Sequence, residues 1–136
     1  MAVAWVGFEP TRQEGPLSTA SEKGVWASGK AYEPYVGRWS RPVAQEFVHW
    51  LAIAPSARWL DVGCGTGALT QTILHHANPS QVDGIDPSEG YLALAREQTQ
   101  DPRVRFDIGD ARSLPVNSTS YDVVVSPLVV NFIPEL

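Results

Sequence analysis

Short apolar runs alternate with helix-spaced apolar positions from Ala57 onward, and this alternation predicts most of the architecture. Arg58 to Val62 reads as a strand and Ala68 to about His76 as a helix. Gln81 to Ile85 reads as a second strand, and Ser88 is placed to N-cap a helix running to about Gln100. Val104 to Ile108 and Tyr121 to Ser126 are the third and fourth strands, joined by a loop over Asp110 to Ser120 that is rich in Ser, Pro and Asn. Upstream, Ser40 is a candidate N-cap with Pro42 in the first turn. The helix it opens would run to about Ala54, with Val43, Phe47, Val48 and Leu51 on one face and Pro55 as its stop. Residues 1–31 show neither a period of 2 nor one of 3.6 and read as a loose N-terminal tail. Strands alternating with helices imply an α/β domain over residues 32–136: an open parallel sheet with right-handed crossovers and its ligand at the carboxyl ends of the strands.

Composition narrows the function classes. The 136 residues suit one domain, with 43% apolar and 18% charged residues and a net charge of −5. A sequence pI of about 5.0 without a basic cluster gives no phosphate-backbone footprint, so no nucleic-acid partner is expected. The single cysteine, Cys64, cannot form an internal disulfide, which fits a reducing compartment and makes a cytoplasmic location the default. The apolar opening Ala2 to Phe8 lacks a basic flank, and Glu9-Pro10 ends it well short of the ~18 residues of a membrane span, so no membrane partner is expected. Trp5 and Trp26 are either docking residues or part of an unstructured arm. The aromatic stretch Tyr32 to Ser40 either packs the following helix onto the sheet or covers a ligand, and Arg38 and Arg41 read as solvated cations or as partners of a ligand carboxylate.

The chemistry concentrates after the first strand. Asp61 is followed by Gly63, Gly65 and Gly67, which turn the backbone into a helix start, where exposed N–H groups and a partial positive charge favour close ligand approach. Gly63, Gly65 and Ala68 satisfy the dinucleotide pattern, and Asp86 is spaced from them as a ribose-binding acid, so an NAD-dependent oxidoreductase is permitted. Asp61 argues otherwise: a carboxylate beside the loop repels a pyrophosphate and attracts a cation. S-adenosylmethionine carries an ammonium and a sulfonium and no phosphate. Asp110, after the third strand, adds an acceptor for an adenine amine, so three acids on neighbouring strand ends span an adenosyl ligand. Each alone is more ordinarily a turn or helix cap.

Leu60 to Gly67 resembles the first motif of the class I S-adenosylmethionine-dependent methyltransferases. Gly84 to Ser88 is similar to that family's second-strand acid, Gly109-Asp110-Ala111 to its adenine-side segment, and Tyr121 to Ser126 to its fourth strand, in the family's order. The resemblance implies a Rossmann-like fold and a cofactor site of Asp61, Gly63, Cys64, Gly65, Thr66, Gly67, Asp86, Pro87, Gly109, Asp110, Ala111 and Ser126. It implies methyl transfer to a small-molecule acceptor, because Ser126-Pro127-Leu128 lacks the amide and aromatic ring of the family's amino-methylating members. The electrophile arrives activated, so no nucleophile is required and no catalytic residue is assigned. Cys64 reads as a packing residue, and His75 and His76 lack metal-ligand spacing, so no metal is expected. The family's sheet resembles the order 3-2-1-4-5-7-6, and only strands in the order 3-2-1-4 fit this sequence. A partial domain truncated after the fourth strand is therefore expected, with Val123 to Val125 as an exposed edge prone to self-association. A non-catalytic interaction module using that edge is the remaining rival.

Overall fold

The computed structural model describes residues 2–4, 38–114 and 120–126. Five strands, β1 (Ala2–Ala4), β2 (Arg58–Val62), β3 (Gln81–Asp86), β4 (Val104–Ile108) and β5 (Val123–Val125), form one sheet in the order β1-β5-β2-β3-β4. Every pairing is parallel. Strands β2 to β5 stand in the order 3-2-1-4 expected of the four predicted strands.

The other end of the sheet corrects the sequence reading. Residues 2–4 lie in the stretch read as a loose tail, yet they pair with the fourth strand, Ala2 opposite Val123 and Ala4 opposite Val125. The fourth strand therefore is not an edge, and its main-chain groups do not provide the open template expected for self-association. Three apolar residues are too short a run to show a period, which is why the pattern missed them. Trp5, Trp26 and the aromatics of residues 32–37 lie outside the described residues.

Helix α1 (Arg38–Leu51) begins two residues before the proposed Ser40 cap and ends three before Ala54. Pro42 sits inside it, leaving the Arg38 carbonyl without its usual i+4 donor. Ala52 adopts a left-handed φ of 47° and donates from its N–H to the His49 carbonyl, which stops the helix ahead of Pro55. Its inward face is Ala44, Phe47, Val48 and Leu51, whereas Val43, expected inward, is 62% exposed.

Helices α2 (Ala68–His76) and α3 (Glu89–Gln98) follow β2 and β3. One core joins α1 and α2 to a sheet face through Val48, Leu69, Ile73, Trp59, Val82, Val123 and Val125. A second joins α3 to β4 through Leu92, Ala95, Phe106 and Cys64. The opposite sheet face carries Leu60, Val62 and Ile85, flanked by Ala111, Tyr121 and Val124. β5 is shorter than the predicted Tyr121 to Ser126; just before it Asp122 is tied to the start of β2, its N–H donating to the Arg58 carbonyl at 2.9 Å and its carboxylate accepting from Arg58 N at 2.8 Å. Among the described residues no helix is long and apolar enough to cross a membrane.

Candidate functional site

The glycine loop occupies the carboxyl end of β2 and is stitched to the end of β3. Gly63 and Cys64 both donate from their N–H groups to the Ile85 carbonyl, at 2.7 and 3.1 Å. Gly65 N donates to Asp86 Oδ2 at 2.9 Å, and Ser88 N donates to Asp86 Oδ1 at 2.8 Å. One carboxylate thus ties the loop to the start of α3, where Ser88 Oγ accepts from Tyr91 N as the predicted cap. All three loop glycines have positive φ: 76° at Gly63, 55° at Gly65 and 87° at Gly67. At Gly65 an added Cβ would meet nothing within 4 Å, so the turn leaves open space beside its backbone. Gly67 caps α2 without a side chain, leaving the first-turn N–H groups at the loop.

Asp61 is fully buried beneath this loop. Its Oδ2 accepts from Thr70 Oγ1 at 2.8 Å, while Oδ1 is buried with no hydrogen-bond partner among the described residues. Burial pushes its carboxyl up to about 7, the Thr70 hydroxyl pulls it partly back, and the nearby Asp86 adds to the rise. The full charge pictured from sequence is therefore only partial near neutrality in the free protein. Thr70 was not singled out in the sequence reading. The signal was a hydroxyl on the apolar side of a helix, between Leu69 and Ile73, which needs a partner when buried.

The remaining candidates divide. Gly109 donates from its N–H to the Asp86 carbonyl at 3.2 Å, which draws the end of β4 to the end of β3. Asp110 is turned to its own loop: its carboxylate accepts from the Arg112 backbone and guanidinium, which hold it down at about 2. Pro87 is exposed between Asp86 and Ser88, Ala111 is half-buried against the Ile85 side of the sheet, and Ser126 is half-buried just past β5. Thr66 is buried in the loop. Cys64 is buried, and desolvation first, then Asp61 and Asp86, push its thiol far above the usual range, so it packs rather than reacts. His75 and His76 close α2, whose opposite end starts at the loop. No group of His, Cys, Asp and Glu suited to hold a metal ion occurs among the described residues.

A buried, unpaired carboxylate oxygen and an unfilled glycine turn on one strand end fit a cationic adenosyl ligand better than a pyrophosphate. The family model described as a methyltransferase domain matches residues 60–135, more than half of the chain. The chain belongs to the class I methyltransferase-domain family. Among relatives, trans-aconitate 2-methyltransferase of Variovorax paradoxus is 30% identical over 104 residues, covering 76% of this chain and 39% of the relative. Malonyl-[acyl-carrier protein] O-methyltransferase of Bacillus cytotoxicus is 30% identical over 83 residues, covering 61% of this chain and 29% of the relative. The solved structure of CalS10 with bound S-adenosylmethionine, an amino pentose methyltransferase from Micromonospora echinaspora, superposes with a TM-score of 0.64 at 28% identity over 90% of this chain and 48% of CalS10. The methyltransferase chain described here thus spans well under half the length of these curated relatives. S-adenosylmethionine is the family's methyl donor.

Proposed function

We propose that this chain is the adenosylmethionine-binding part of a methyltransferase that acts on a small-molecule acceptor. The observation that carries the reading is Asp61: a fully buried carboxylate with an unpartnered oxygen at the glycine loop. Asp61 receives the cationic methionine end of the donor, and the open turn at Gly65 admits the ligand against the main chain. With the Gly67 N–H already donated to the Cys64 carbonyl at 2.9 Å, it is the first turn of α2 that offers amides to the donor's carboxylate. Asp86 already spends one lone pair of each oxygen on Gly65 and Ser88. A carboxylate has about four acceptor sites, so capacity remains for ribose hydroxyls. Gly109, Asp110 and Ala111 border the adenine, with Cys64, Thr66, Pro87 and Ser126 completing the wall.

When bound, the donor supplies a methyl group on a sulfonium, already activated for in-line displacement. The residues of this chain then orient the ligand and keep its methionine end out of water. The acceptors named for the relatives, trans-aconitate and malonyl-[acyl-carrier protein], support a small acidic acceptor here. The lone, unbridged Cys64 supports a reducing, cytoplasmic setting.

Calorimetry with adenosylhomocysteine tests the site. The wild type is expected to bind it in preference to NAD. Gly65→Val is expected to abolish binding by filling the turn, and Asp86→Ala to weaken it by about 1–3 kcal/mol. Unchanged affinity in both variants would remove the assignment.

A further inference from the structure

Thr70 is as deeply buried as Asp61, and its hydroxyl is spent on a single oxygen of that carboxylate. Among the described residues nothing else accounts for a hydroxyl at this point of α2, where its neighbours Leu69 and Ile73 pack into the apolar core. Valine has nearly the same shape and would fill the same space without a polar group. What the hydroxyl adds is a hydrogen bond that fixes the carboxylate's rotation and leaves Oδ1 as the unpaired oxygen.

We propose that Thr70 is a positioning residue for the cofactor: by holding Oδ2 it presents Oδ1 of Asp61 to the cationic methionine end of S-adenosylmethionine. The inference rests on the cofactor site proposed above. The bond also bears on charge, because a donor to Oδ2 favours the ionised carboxylate against the cost of burial. The charged group facing Asp61 from β3 is Asp86, which opposes ionisation. In the loop, Cys64 stays a neutral thiol, and Arg96 of α3 bears on Cys64. Thr70 therefore favours the anion from α2 through its hydroxyl and, less strongly, its backbone N–H, of which only the hydroxyl is lost in Thr70→Val; a cation binding at Oδ1 must displace any proton held there.

The test is the pH dependence of adenosylhomocysteine binding, by calorimetry between pH 5.5 and 7.5. That range lies below the ionisation of the ligand's ammonium, which its neighbouring carboxylate holds above the roughly 7.7–8.0 of a peptide α-amino group. Wild-type affinity is expected to rise with pH, by up to about tenfold per unit where the pocket is protonated. Thr70→Val is expected to shift the midpoint of that rise to higher pH, so that the loss of affinity is several-fold at pH 6 and shrinks as pH increases. Thr70→Ser should restore the wild-type profile. A Thr70→Val loss equal at every pH, or no loss, would overturn the inference and leave Thr70 a packing residue. Should Thr70→Val not fold, the proton count decides: binding in buffers of different ionisation enthalpy at pH 6 should release a proton from wild type and Thr70→Ser and none from Asp61→Asn. Equal release from Asp61→Asn overturns the inference. Failure of the wild type to bind at any pH would instead sink the cofactor site itself.

Discussion

Cys64 and Asp61 are both buried at the glycine loop, and desolvation pushes the ionisation of both to higher pH. Cys64 lies in the motif, yet its thiol is desolvated beside two carboxylates, so labelling by a thiol reagent in the folded protein is expected to proceed only as fast as the fold opens. Rapid stoichiometric labelling in native buffer would contradict this. Asp61 ionises at 3.8 as an ordinary carboxyl and at about 7 in the fold, so the native protein holds a proton that the unfolded chain has lost between those values. Its contribution to stability is fully present below about 3.8 and lost as pH rises through about 7. Asp101 and Asp110, lowered to about 2 by Arg103 and Arg112, act only as pH falls below the ordinary carboxyl range. Thermal melts between pH 5 and 7 should therefore show Tm falling with pH in the wild type and a flatter profile in Asp61→Asn. The spacing of Asp61, Gly63, Gly65, Gly67 and Asp86 pointed to an adenosyl ligand, but not to which acids would carry charge. That depends on depth of burial, and a linear pattern does not report depth.

Among the elements, the crossing of β3, β4 and the glycine loop tolerates least. Gly84 stands opposite Asp61 on one side and Phe106 on the other. A Cβ there would lie 2.7 Å from Phe106 Cδ1 and 2.9 Å from Cys64 Sγ. Gly84→Ala is expected to cost about 1–3 kcal/mol in chemical denaturation, with Phe106→Leu in the same chain recovering part of it. A neutral Gly84→Ala would mean that the ring moves freely. Strand and helix bounds from β2 to β4 were readable within a residue or two, since each is flanked by turn formers such as Pro55, Pro79 and Pro102. The start of α1 was not. Ser40 and Pro42 imitate a helix opening, whereas the helix begins at Arg38 and accommodates the proline. Nor was the inward face clear at Val43, where Ala44 instead takes the buried place in the core that α1 shares with α2.

At the scale of the molecule, alternation of strands and helices made an open parallel sheet legible, and the resemblance to the methyltransferase family supplied the order of β2 to β5, while the fifth strand followed from neither. β1 is recognised only by its partner, since Ala2-Val3-Ala4 carries no turn chemistry and no alternating polarity. Deleting residues 1–4 would uncover the outer edge of β5 and is expected to give concentration-dependent association in analytical ultracentrifugation. A deletion variant that stays monomeric with an unchanged Tm would show that the edge has another cover. The pairing of Ala2 with Val123 also has a kinetic side. It joins residues far apart in sequence, so a long loop must be closed before three residue pairs can reward the closure. β1 should then be the last strand to dock during folding and the first to open, with its amides exchanging with solvent long before those of β2 and β3.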